Sequence, residues 1–177
     1  NASKNRKSLG SYSAALNAPS FSESQAIIEK LNFTKILEIF PLWLSHLSEL
    51  NSVFPQNKEI FDLVIIDEAT QCDIATALPA IYRAKRVVIS GDPNQLRHYS
   101  FDGKNQQYNL LKKYELEENA IFDYRNKSIL DIYLSKVPNQ EQVSFLREHY
   151  RSTPSLIEFN NQEFYNQQLE IIKSTSE

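Results

Sequence analysis

Apolar and polar positions fall into short blocks along this chain, and two of the apolar blocks read as strands. Leu63-Val64-Ile65-Ile66 is an unbroken apolar run, and the pattern predicts a strand over Phe61 to Ile66 that is buried on both faces. Val87-Val88-Ile89 repeats the pattern and predicts a second strand over Arg86 to Ile89. Between them, Asp73 is placed to cap a helix that carries Ile74, Ala77, Leu78 and Ile81 on one side. Pro79 lies inside that pattern, so the helix is expected to be short or kinked. Strand, helix and strand with short connections form a βαβ unit, with parallel pairing and a right-handed crossover.

The flanking pattern is less regular. Residues 1–20 are small and polar and read as a flexible segment. Ser22 with Gln25 forms a capping box ahead of Ala26, Ile27, Leu31 and Phe33, which predicts a helix. Ile36 to Phe40 reads as a short strand, and Pro41 as the first turn of a helix bearing Leu42, Trp43, Leu44, Leu47 and Leu50. Trp43, the sole tryptophan, is expected in the core. Phe101 to Asn126 gives no clear element. Ser128 to Val137 reads as a helix, Gln142 to Leu146 as a strand, and Thr153-Pro154 as the start of a helix through Leu156, Ile157, Phe159, Phe164 and Tyr165. The last residues read as a frayed end. The expected division is a flexible 1–20, a main α/β unit over 21–140, and the beginning of a second unit over 141–177.

Composition narrows the classes. The 177 residues carry a formal net charge of -3 and a sequence pI of about 5.7, so bulk charge does not describe a protein that coats a duplex. A single cysteine, Cys72, excludes a disulfide framework within the chain. No apolar run approaches the roughly 20 residues of a membrane-spanning helix, and no signal-peptide pattern is present, so the expected location is cytoplasmic, with no membrane partner. The three glycines, Gly10, Gly91 and Gly103, never take the G-x-x-x-x-G-K-[ST] spacing of a phosphate-cradling P-loop. There is no methionine, and the sequence reads as a piece of a longer protein.

Candidate chemistry sits at the ends of the two strands. The first runs into Asp67-Glu68, and the second into Ser90-Gly91-Asp92-Pro93-Asn94-Gln95. Polar groups at the C-terminal ends of neighbouring parallel strands line the ligand-binding edge of an open α/β sheet. Asp67 can hold a magnesium ion, Glu68 can activate a water, and the Gln95 amide can respond to a phosphate oxygen. As a structural alternative, the acidic pair would serve a helix start. Gly-Asp-Pro-Asn is turn chemistry in its own right. Arg151, in Tyr150-Arg151-Ser152, offers a planar fork to phosphate oxygens, and standing alone would read as a surface arginine.

Three segments, in order and spacing, resemble superfamily 1 nucleic-acid helicases: VIIDEATQ (64–71), VVISGDPNQL (87–96) and FLREHYRSTPSLIEFNNQEFY (145–165). The DEATQ and GDPNQL forms look like the branch that contains the nonsense-mediated-decay and related RNA or DNA helicases. The resemblance implies a partial RecA-like (P-loop NTPase) parallel sheet flanked by helices. Residues 21–140 would be the later half of a first motor domain, and residues 141–177 the start of a second or a linker to it. It implies Asp67 as the magnesium ligand, Glu68 as catalytic base, Gln95 as γ-phosphate sensor, Arg151 as arginine finger and Asp92 beside them as a structural or water-mediated partner. Arg97, His98 and Tyr99 would touch the nucleic acid. ATP and Mg2+ would be bound by the full-length parent, whose partners are single-stranded DNA or RNA and the remainder of the helicase. Lacking the P-loop, this piece is expected to be inactive alone. The rival expectation is a non-catalytic nucleic-acid-binding or assembly module that kept the fold.

Overall fold

The computed structural model describes residues 2–138 and 140–172. In chain order the helices and strands are α1 (Ala2–Leu16), α2 (Phe21–Ile28), α3 (Phe33–Ile39), α4 (Leu50–Val53), β1 (Val64–Ile66), α5 (Ile74–Tyr82), β2 (Val87–Ile89), α6 (Lys104–Lys113), α7 (Ile129–Lys136), β3 (Glu148–His149), α8 (Pro154–Phe164) and β4 (Glu170–Ile171). The fold is α/β, a partial RecA-like parallel sheet flanked by helices. β1 and β2 pair in parallel, with Val64, Ile65 and Ile66 opposite Val87, Val88 and Ile89. An isolated parallel bridge from Phe61 to Ala84 starts the same ladder earlier. α5 makes the connection, so the expected βαβ unit is present. Asp73 caps α5 by accepting from the Thr76 amide at 2.9 Å, and Pro79 lies within it.

The strands are not buried on both faces. Ile66 is buried and Val64 and Ile89 are packed against the core, but Ile65 is 63% exposed and Leu63 and Val88 are each 47% exposed. With period-2 alternation, Leu63, Ile65 and Val88 share the opposite face. The described helices cover one side only, which is why an apolar run that looks two-sided in sequence is one-sided here.

Most of the N-terminal segment, Ala2–Leu16, is helical. α1 places Tyr12 and Ala15 in the core, and the Tyr12 hydroxyl donates to the Val53 carbonyl at 3.1 Å. Tyr12 belongs to an aromatic cluster with Phe33, Trp43, Phe54 and Phe61, in which Trp43 and Phe54 stand edge to face at 5.3 Å. Burial pushes the Tyr12 hydroxyl up to about 12. Trp43 is thus a packing residue, as expected.

Other boundaries move for identifiable reasons. α2 is capped by Ser20, which accepts from the Glu23 amide, and not by Ser22. Residues 36–40 fall in or next to α3 instead of forming a strand, because Phe33 and Ile36 are buried at helical spacing. Residues 41–46 form no helix, and Leu42 and Leu44 are largely exposed. Residues 143–146 are not a strand. The short pair forms later, as β3 beside β4, with Glu148 opposite Glu170 and His149 opposite Ile171. That pair is a sheet separate from β1–β2. The frayed end expected after it, residues 173–177, lies outside the described residues.

One buried cation ties the helices to the sheet. Arg83, at the C-terminal end of α5, is 2% exposed. Its Nε donates to the Pro55 carbonyl at 2.8 Å, Nη1 to the Pro79 carbonyl at 2.9 Å, and Nη2 to Asn51 Oδ1 at 3.0 Å. Burial lowers its pKa, yet a guanidinium keeps its charge. Arg83→Met should lower stability by about 3 kcal/mol, because it strands several buried acceptors. Arg83→Lys should recover little, since an ammonium cannot span the same fork. Urea unfolding of the chain followed by Trp43 fluorescence checks both.

Candidate functional site

The register of β1 and β2 sets the site. One step beyond the Ile66–Ile89 pair, Asp67 faces Ser90, whose hydroxyl donates to Asp67 Oδ1 at 2.9 Å. The backbone ladder runs on past the strands: the Ser90 amide donates to the Ile66 carbonyl at 2.8 Å and the Ala69 amide to the Ser90 carbonyl at 2.9 Å. The two strand ends, and therefore the two motifs, meet at one edge.

Between Asp67 and Ala69 the chain reverses through Glu68, which adopts the left-handed conformation with φ 52° and ψ 41°. A non-glycine residue there costs about 1 kcal/mol or more. The reversal turns Glu68 out of the strand's alternation, and its carboxylate is exposed with no hydrogen bond among the described residues. The following turn is anchored by Ala69 and Thr70, both essentially buried.

Gly91 is required by close approach, not by its φ, which is not positive. A Cβ there would lie 3.1 Å from the Ala69 nitrogen, 3.3 Å from the Thr70 nitrogen and 3.3 Å from Leu130 Cδ2. Asp92 then organises the loop. Its Oδ1 accepts from the Asn94 amide at 2.9 Å, and its Oδ2 accepts from Gln95 Nε2 at 3.0 Å and from the Tyr165 hydroxyl at 2.5 Å. Burial, followed by the bond to Asp92, pushes the Tyr165 hydroxyl up to about 12. Asn94 Nδ2 also donates to the Phe164 carbonyl at 2.9 Å, so the end of α8 rests on this loop.

The expected residues are not all brought together. Asp67 lies at the shared edge, Glu68 follows it, and Asp92 with Gln95 forms the neighbouring loop. Arg151 follows β3, is exposed, and forms no ion pair with Asp67 or Glu68. Of the three candidates for nucleic-acid contact, Tyr99 is 79% exposed and stands edge to face with the 94% exposed Phe101 at 5.1 Å. Arg97 pairs with Asp131 at 3.3 Å. His98 is turned inward: its Nε2 lies 2.7 Å from the Tyr124 carbonyl and its amide donates to Thr70. That half-buried position makes His98 a strap over the Asp67–Thr70 turn. Burial, with Asp73 alongside, raises the Cys72 thiol, which disfavours the thiolate needed for nucleophilic chemistry.

Sequence reasoning missed Ser90, Asn94 and Tyr165. Ser90 was recoverable by counting the strand register one residue past Ile89. Nothing local in the sequence ties Tyr165 to Asp92.

Known proteins resemble this chain over much of its length. A family model described as an AAA domain matches residues 15–99, which include both strand-end motifs. An uncharacterized ATP-dependent helicase of Mycoplasma pneumoniae, the MG140 homolog, is 29% identical over 142 residues, covering 79% of this chain and 12% of that protein. Helicase SEN1 of Saccharomyces cerevisiae is 33% identical over 108 residues, 59% of this chain and 4% of its own length. The probable helicase senataxin of Homo sapiens is 30% identical over 122 residues, covering 65% and 4%. The chain thus resembles helicases of superfamily 1. The chain spans only a small part of the relatives it matches, 12% of the first and 4% of the others. No solved structure matches it.

Gly91→Ala should cost about 1–2 kcal/mol, because the new methyl meets backbone on one side and Leu130 on the other. It should also loosen the Ala69–Ser90 contact. Urea unfolding, together with amide exchange at Ala69, measures the two effects.

Proposed function

We propose that this chain is the part of an ATP-dependent superfamily 1 helicase that activates the attacking water and couples ATP to the nucleic acid. The observation that carries the reading is the meeting of Asp67, Ser90 and the Asp92–Gln95 loop at the C-terminal edge of a parallel strand pair. Polyphosphate binds at that edge in open α/β sheets. The helicase names of the relatives support the same reading. The exposed face of Leu63, Ile65 and Val88 supports a larger parent, since further structure laid on it would remove an apolar patch from water.

The donor set fits magnesium. Mg2+ takes one or two carboxylates, retains waters and shares the substrate's phosphates. The edge offers Asp67 with the Ser90 hydroxyl behind it, and among the described residues no cluster of His, Cys, Asp and Glu would favour a more fully caged metal. Asp67 would hold the ion, which when bound neutralises phosphate charge.

Glu68 then accepts the proton of the water that attacks the γ-phosphorus, as the bond to the β-phosphate oxygen breaks. Its exposed carboxylate, free of internal hydrogen bonds, is available for that proton. Gln95 offers its amide to the γ-phosphate, held in place by Asp92. Arg151 serves as the arginine finger when its segment closes on the edge. Single-stranded DNA or RNA would run past Tyr99, whose ring beside Phe101 offers a stacking surface, with Arg97 next to it. The remainder of the parent supplies the phosphate cradle, so this chain by itself should not turn over ATP. A cytoplasmic setting accompanies the reading. Among the described residues no helix is long and apolar enough to cross a membrane.

The test is Glu68→Gln in the full-length helicase, assayed with and without a single-stranded oligonucleotide. Turnover should fall by about 10³-fold while nucleotide affinity changes little. Loss of binding in step with turnover would remove Glu68 from the base role.

A further inference from the structure

Gln95 is exposed, and an exposed glutamine side chain occupies many rotamers unless something fixes it. Here the fixing group is Asp92 Oδ2, which accepts from both Gln95 Nε2 at 3.0 Å and the Tyr165 hydroxyl at 2.5 Å. Asp92 Oδ1 is taken by the Asn94 amide at 2.9 Å, so the carboxylate cannot rotate freely. Tyr165 lies far along the chain from Asp92, immediately after α8, on the segment that begins with Arg151.

Within its own segment α8 is held without this bond. Ile157 and Asn161 are buried, and Asn161 exchanges two hydrogen bonds with the Leu169 backbone, at 3.0 and 2.9 Å. The Tyr165 hydroxyl, beside the Asn94–Phe164 bond, joins that segment to the Asp92 loop.

We propose that Tyr165 is a positioning residue for Gln95, acting through Asp92, and that it makes the orientation of the Gln95 amide depend on where the α8 segment sits. With its Nε2 committed to Asp92 and set beside the Tyr165 hydroxyl, Gln95 presents its amide in a defined direction. If the segment bearing Arg151 and Tyr165 moves, Asp92 loses a donor and Gln95 loses its anchor. The phosphate-facing amide and the arginine segment would then be set together. The inference rests on the role proposed above for Gln95, and it adds the device that links Gln95 to α8.

Tyr165→Phe keeps the ring and removes only the hydroxyl. In the full-length helicase, kcat for ATP hydrolysis stimulated by a single-stranded oligonucleotide should fall about 10-fold, with KM for ATP held within about 2-fold. In a Gln95→Ala background the same substitution should have almost no further effect, because the group it positions is gone. A Tyr165→Phe protein with the parent's kcat would overturn the inference. So would an equal loss of kcat in the Gln95→Ala background, since that marks a merely structural role. These failures differ from failure of the underlying reading, in which the unsubstituted helicase hydrolyses no ATP or Gln95→Ala leaves its turnover unchanged.

Discussion

The contact on which the rest depends is the parallel ladder between β1 and β2, and its continuation beyond the strands. Each strand is only three residues long, too little to hold a sheet alone. The ladder is lengthened at one end by Phe61 and Ala84 and at the other by Ala69 and Ser90. The second extension carries the candidate site, because it runs through Asp67 and Glu68 on one strand and into Gly91 on the other. It closes only where the chain after Ser90 has no side chain, since a Cβ on Gly91 would press on the Ala69 and Thr70 nitrogens. Packing and chemistry thus share one constraint.

That short ladder needs outside support, and it receives it on one side. Arg83 ends α5 and bonds the backbone of Phe54, Pro55 and Pro79, joining the crossover helix to the chain that enters β1. The aromatic cluster from Tyr12 to Phe61 packs α1, α3 and the segment before β1 into one body. On the far side of the sheet Leu63, Ile65 and Val88 meet water. An isolated domain of this size would ordinarily cover such a patch, so the open face has the character of an internal surface.

The centre of the fold was legible because its signals are local. Apolar runs bounded by turn residues gave β1 and β2, Asp73 and Ser128 marked two helix starts, and strand register alone put the DEATQ and GDPNQL segments side by side. What sequence could not supply was long-range partnership. α1 is helical because Tyr12 and Ala15 find a core elsewhere, and its composition shows only a polar end. Ser20 was passed over for Ser22 although it stands three residues before Glu23, a signal of equal strength. Burial on both faces was overread, because an apolar run does not say which of its faces the same chain will cover. The position of Arg151 depends on how its segment sits, which no spacing encodes.

The left-handed turn at Glu68 shows why the acidic pair is adjacent rather than spaced. On a straight strand, neighbouring side chains point to opposite faces, and the second carboxylate would be lost into the sheet. Reversing the backbone at Glu68 costs about 1 kcal/mol, which the burial of Ala69 and Thr70 immediately after it can offset. The exchange leaves Asp67 tethered by Ser90 and Glu68 untethered at the same strand end. One carboxylate is held by a hydroxyl, and the other has no hydrogen bond among the described residues. That division of labour follows from backbone geometry before any ligand is considered.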